Sequence, residues 1–299
     1  MLEMKNVTKT FGKFKALDDL TLTVPKGSVY GLVGPNGAGK STAIRLLTGI
    51  YRPDSGSVTM EGLPIYENPV SKLRMGYIPD DVFYFPSASM EEMRSFYKGI
   101  YPQFDDTLYQ KLFEAFQLPK KSPIRRFSKG MQKQAAFWLN LALQPDLFLL
   151  DEPVDGLDPV MRRQVWSLLM GDVAQRGTTV LVSSHNLREL EDVCDHVGIL
   201  SKGKVLLQRS LTDLQDNVVK MQVVFDSSEL PGLPAELELL HASQVGRVHT
   251  LIIRGNAAQV KSQLAAYQPL LMDALPLTLE EIFIYELGGE DYEVRDIVL

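Results

Sequence analysis

The stretch Gly34-Pro35-Asn36-Gly37-Ala38-Gly39-Lys40-Ser41-Thr42 decides the reading of this chain. It fits the phosphate-loop pattern G-x-x-x-x-G-K-[ST] without a mismatch. The apolar run Val29-Tyr30-Gly31-Leu32-Val33 precedes it and predicts a buried strand. A helical pattern from Ser41 to Thr48 follows and stops at Gly49. Strand, glycine loop and helix together aim backbone N–H groups and a positive helix end at phosphate. All nine residues, Gly34 through Thr42, are therefore candidates for holding a nucleotide's phosphates.

Working outward, the βαβ rhythm continues. Strands are expected at Leu147–Leu150 and Thr178–Val182, with a helix from Pro159 to Gln175 between them. That rhythm implies a parallel sheet covered by helices. Upstream, Val7, the Phe11 region and Leu20–Val24 read as antiparallel strands. From about Ser87 to Leu143 the chain is helical and rich in Met, Phe and Tyr, an insertion whose aromatics are expected to be core. Past residue 212 a small α/β module is expected: a strand from Val218 to Phe225, a hairpin of Leu237–Leu240 with His249–Ile253, a helix from Asn256 to Tyr267, an extended Leu270–Leu277 and a last helix from Leu279 to Leu287. Gly288-Gly289 then detaches an acidic tail over 288–299.

Composition is that of an ordinary globular chain, 45 % hydrophobic and 23 % charged over 299 residues. No apolar run approaches the ~18–20 residues that cross a bilayer, and the opening residues lack the apolar core of a signal peptide. The single cysteine, Cys194, excludes an internal disulfide. It reads as a buried structural thiol on a helix. These features favour a cytoplasmic protein. The net charge of −6 is uneven: 14 acids and 5 bases from Leu211 onward, against 23 and 26 before it. That split suits a nucleotide-binding core joined to a separate module. No Lys/Arg stripe with interleaved aromatics appears, so nucleic acid is not an expected partner.

A second motif, Leu147-Phe148-Leu149-Leu150-Asp151-Glu152-Pro153, ends an apolar strand in two carboxylates. Asp151 belongs at the carboxyl edge of the sheet, where ligands bind in such folds. With Ser41 it is placed to hold Mg²⁺. Glu152, one step further on, is placed to polarise an attacking water as general base. Ser128-Lys129-Gly130-Met131-Gln132 opens an apolar helix. Ser128 makes a good N-cap, and its hydroxyl, the Gly130 N–H and the helix end also suit a γ-phosphate. His185 follows the strand ending near Ser183, at the same edge as Asp151, and reads as a phosphate sensor.

In order and spacing, this set resembles the ATP-binding subunit of ABC transporters over residues 1 to about 212, a P-loop NTPase fold with an antiparallel β subdomain and a helical insertion. Gly34–Thr42 is similar to Walker A, Leu147–Glu152 to Walker B, Phe127-Ser128-Lys129-Gly130-Met131 to the signature L-S-G-G-Q, Gly156-Leu157-Asp158 to the D-loop and His185 to the switch histidine. Phe11 resembles the aromatic that stacks on adenine. The resemblance implies an ATPase, with ATP and Mg²⁺ as cofactors, that powers a membrane transporter whose spanning subunits are separate chains. It further implies a position peripheral to the inner face of the membrane. Ser128, Gly130 and Asp158 would serve ATP bound to a second chain, in a homodimer or a heterodimer with a related ATPase. The segment Met93–Pro102 and the C-terminal module resemble the exporter-type branch that holds bacitracin-resistance and acetoin-utilisation ATPases. Two positions depart from the pattern. Lys129 stands where the signature has its first glycine. Asp80, in Gly76-Tyr77-Ile78-Pro79-Asp80-Asp81, stands where a metal-approaching glutamine is expected, so a catalytic and metal-binding role would fall to a carboxylate that cannot donate a hydrogen bond when ionised.

Overall fold

The computed structural model describes residues 1–227, 230–234, 237–275 and 277–281. The described chain forms two compact units: Met1–His185 with Val193–Gln208, and Asn186–Asp192 with Arg209 onward.

The first unit is built on two sheets. β1 (Leu2–Phe11) and β2 (Phe14–Val24) pair antiparallel, and β4 (Ser55–Met60) and β5 (Leu63–Pro64) extend them in the order β2-β1-β4-β5. The second sheet runs in the order β10-β9-β3-β8-β7-β6. Its members are β3 (Val29–Val33), β6 (Met75–Ile78), β7 (Leu147–Asp151), β8 (Thr179–Ser184), β9 (His196–Ser201) and β10 (Lys204–Ser210). Every pairing from β9 through β6 is parallel. β3, β7 and β8 are buried at every residue. That is why they read as unbroken apolar runs and do not alternate.

The phosphate loop leads into α1 (Lys40–Leu47), whose buried Ala43, Ile44, Leu46 and Leu47 join the core between the two sheets. The short α2 (Pro69–Leu73) precedes β6. β6 is not among the expected strands, because a four-residue strand interrupted by Gly76 carries little periodicity. α3 (Met90–Ile100), α4 (Asp106–Phe116) and α5 (Lys129–Ala142) make up the helical part. Trp138 stacks on Tyr109 with centroids 4.9 Å apart and donates its indole N–H to the Tyr109 carbonyl at 2.7 Å. Not all aromatics there are core, however. Phe96 and Ile100 are exposed on α3, as are Phe83 and Phe85 just before it. α6 (Pro159–Arg176) crosses from β7 to β8.

In the second unit, α7 (Leu187–Glu191) and α8 (Leu211–Asn217) accompany a sheet of order β12-β13-β11-β14. These strands are β11 (Val218–Val224), β12 (Leu239–Val245), β13 (Val248–Arg254) and β14 (Leu271–Leu275), with α9 (Ala257–Ala265) between the last two. Val219, Met221, Val223, Leu251 and Ile253 pack on Val260 and Leu264 of α9. The expected hairpin pairs Leu239–Val245 with Val248–Arg254, longer than its sequence suggested. Residues 282–287 of the expected last helix and the tail 288–299 lie outside the described residues. Cys194 is not on a helix. It follows the turn after α7 and precedes β9, and burial pushes its thiol pKa well up.

Candidate nucleotide site

β3 ends at the loop, and two glycines there are required by geometry. A Cβ on Gly34 would collide with the Leu200 carbonyl. Gly39 has φ +110°, and a Cβ there would lie 2.8 Å from both the Ala16 carbonyl and the Leu17 side chain. Gly39 also caps α1 without a side-chain hydrogen bond. With no side chain at the N-cap, the first-turn N–H groups of α1 lack the usual capping acceptor. Lys40 is buried, and its ammonium donates to the Gly34 carbonyl at 2.7 Å.

β7 brings Asp151 and Glu152 to the same edge. Register pairs Asp151 with Ser183 of β8. The Ser183 hydroxyl donates to Asp151 Oδ1 at 2.7 Å, and the Ser41 hydroxyl donates to the same oxygen at 3.1 Å. Asp151 is 1 % exposed, and these two hydroxyls offset the desolvation of its charge. Glu152 takes φ +45°, and its N–H donates to Ser183 Oγ at 3.1 Å. Its carboxylate lies 3.4 Å from the Lys40 ammonium through Oε1 and 3.0 Å from His185 Nδ1 through Oε2. Burial pushes the Glu152 pKa above its ordinary value, with Asp155 adding to the rise; Lys40 and His185 oppose it.

A cleft of about 250 Å³ is lined by Pro35 through Thr42 together with Phe14, Ala16, Asp80 and Glu152. The loop, the strand-end glutamate and the divergent Asp80 thus meet in one place. Ser128, Gly130, Asp158 and Phe11 are not among its lining residues. Ser128 caps α5 by accepting from Met131 N–H at 3.2 Å. Gly130 packs on the Gly156 carbonyl, 2.7 Å from where its Cβ would sit. Asp158 caps α6, accepting from Val160 and Met161 N–H. Phe11 packs edge-on against Tyr51, at 5.4 Å between centroids. Phe14, 63 % exposed, lines the cleft instead. Sequence reading passed over Phe14 and Ser183. Phe14 is the antiparallel partner of Phe11 across a tight turn, and Ser183 owes its place to strand register, which no local pattern reveals.

The oxygen donors Ser41 and Asp151, 3.1 Å apart, are of the chemistry that a small hard cation such as Mg²⁺ takes. Glu152, Asp155 and His185 also bring ligand atoms within 4.8 Å of one another.

The family model described as ABC transporter matches residues 17–155. The ABC transporter ATP-binding protein YtrB of Bacillus subtilis (strain 168) is 32 % identical over 290 residues, covering 97 % of this chain and 99 % of that one. The Nod factor export ATP-binding protein I of Cupriavidus pinatubonensis (strain JMP 134 / LMG 1197) is 34 % identical over 230 residues, covering 75 % and 70 %. A solved ATP-binding subunit of an ABC transporter superposes with a TM-score of 0.67 at 29 % identity, over 72 % of this chain and 92 % of that one. The chain belongs to the ATP-binding proteins of ABC transporters. It is an ATP-binding, ATP-hydrolysing subunit with the P-loop fold of that family. The comparisons support the family and neither the bacitracin-resistance nor the acetoin-utilisation branch within it.

Proposed function

We propose that this ATPase powers export through separate membrane-spanning subunits, working as a homodimer whose two ATP molecules are each shared between both chains. One observation carries the shared site. Lys40, Ser41 and Glu152 line the loop's cleft, whereas Ser128, Gly130 and Asp158 do not. A chain with both halves of a phosphate site, held apart, completes the site by meeting a second copy.

In this reading Lys40 and the amides from Gly37 to Thr42 hold the β- and γ-phosphates. Ser41 and Asp151 would hold Mg²⁺, and Asp80 lines the same cleft as Ser41. The metal supplies charge neutralisation on the phosphates. Glu152 accepts the proton of the attacking water, and its raised pKa suits a base. His185, against Glu152, orients that carboxylate and contacts the γ-phosphate. Ser128 and Gly130 close on the γ-phosphate held by the partner chain, with Asp158 nearby. Phe11 or its neighbour Phe14 provides the aromatic face for adenine.

Export is supported by the likeness to a Nod factor export ATP-binding protein. Docking to a membrane subunit is supported by the exposed Phe83, Phe85, Phe96 and Ile100, since a clustered apolar surface marks an interaction site. Phe85, five residues from Asp80 in the chain, packs edge-on against Phe96 with centroids 5.4 Å apart. No described helix is long and apolar enough to cross a membrane, and in this reading the protein sits at the inner face of the membrane through its partners.

The test mixes two dead variants. Ser128→Arg obstructs the face offered to the partner, and Lys40→Ala empties the loop. A mixed dimer has one composite site with both halves intact. Recovered phosphate release on mixing is the expected result. A mixture as inactive as its parents, with mixed dimers demonstrated, overturns the shared site.

A further inference from the structure

Lys133 lies on α5, and its ammonium is buried, with only 7 % of the side chain exposed. A buried charge persists only where acceptors offset its desolvation. Here the ammonium donates to the Glu152 carbonyl at 2.6 Å and reaches Asp80 Oδ1 at 3.4 Å. The first is a short charge-assisted hydrogen bond, stronger than one between neutral groups. The second is weaker, because the Asp80 side chain is 58 % exposed and water screens it.

The carbonyl in question belongs to the residue with φ +45°. A non-glycine residue is uncommon in that region and stays there only when its surroundings hold it. The Glu152 N–H is held by Ser183 of β8, and its C=O is held by Lys133 of α5. The peptide groups on both sides of the residue are therefore pinned, from two different elements. Releasing one of them frees the backbone to leave the left-handed region, and the carboxylate would then swing away from Lys40 and His185.

We propose that Lys133 is a positioning residue for hydrolysis: it holds the Glu152 backbone in its left-handed conformation and so aims the carboxylate at the attacking water. The proposal rests on Glu152 as general base. Through Asp80 it also makes that aim sensitive to the segment leading to Phe83 and Phe85, and through its place on α5 to the helix end that Ser128 caps. Asp80 meets the ammonium as an ion, whereas a glutamine would offer it only a neutral acceptor.

The experiment uses the full chain with Mg²⁺-ATP. Lys133→Met keeps the length of the side chain and removes its donors. It is expected to lower kcat by about ten- to a hundredfold while KM and ATP affinity stay within about threefold, the pattern of a contact that matters only in the transition state. Lys133→Arg, which keeps the charge and donors, is expected to regain activity over the Met variant. Asp80→Asn is expected to lower kcat less, and to add nothing once Lys133 is replaced. Thermal melts check folding. If Lys133→Met does not fold, Lys133→Gln is read in its place, with the same expected split of kcat from KM. Wild-type kcat in a folded neutral variant overturns the proposal, as does a loss carried by KM or an Arg variant no better than Met. Glu152→Gln runs beside them. If it still turns over, the base assignment itself fails; if it is inactive while the Lys133 variants are normal, only this inference fails.

Discussion

Oε2 of Glu152 lies 3.0 Å from Nδ1 of His185, so the residue after β7 touches the residue after β8. Asp151 and Ser183 are register partners at the ends of the same two strands. The parallel pairing of β7 with β8 thereby brings a carboxylate and an imidazole together that are 33 residues apart in sequence.

The first expectation concerns pH. Glu152 acts as a base only when ionised, and burial raises its pKa above the ordinary 4.5. As pH falls, kcat/KM for ATP should therefore drop with an inflection above 4.5, because that ratio reports the free enzyme. A profile still flat at 4.5, with the protein folded, contradicts the assignment.

Ser183→Ala removes one hydroxyl, takes the acceptor from the Glu152 N–H and leaves Asp151 Oδ1 with the Ser41 hydroxyl as its remaining donor. The expected cost is about 1–3 kcal/mol of stability, read by urea unfolding, with hydrolysis reduced more than ATP binding. A stability change under about 0.5 kcal/mol, the size of an ordinary surface substitution, would show that neither hydrogen bond matters.

Acid stability follows from a carboxylate far from the site. Arg94, and then Lys98, hold Asp106 at about 2, below its ordinary 3.8. Its stabilising contribution is then complete above about 4 and disappears as pH falls through about 2. The Asp106 side chain is still 32 % exposed and water screens the pair, so the effect is modest. Asp106→Asn should melt below wild type at pH 6, and the gap should narrow below about pH 4 and close only below about pH 2. A gap that widens towards acid reverses the sign and refutes the linkage.

How much of this was legible beforehand depends on where each residue gets its position. Gly34–Thr42 and Leu147–Glu152 are contiguous because a loop cradling phosphate, or a strand ending in carboxylates, is a local object; both read directly from the chain. β3, β7 and β8 were legible for a related reason, as parallel strands buried on both faces must be apolar throughout. Ser183, Lys133 and Phe14 were not, since each enters the site through register or packing between distant segments. Ser183 is an unremarkable strand residue until β8 is laid beside β7. Lys133 reads as a solvated helix lysine until α5 is set against the Glu152 carbonyl. Cys194 misled for the opposite reason: the apolar spacing around it belongs to the short α7 and to β9, with the cysteine in the break between them.

The central claim, that this chain hydrolyses ATP with Glu152 as base, is tested most directly by steady-state phosphate release from Glu152→Gln, set beside ATP binding by the same variant. The substitution keeps size and removes only the proton acceptor. Binding should be preserved while turnover falls by about 10²–10⁴-fold, the range general-base catalysis supplies. Turnover within about threefold of wild type, with binding intact, would contradict the account.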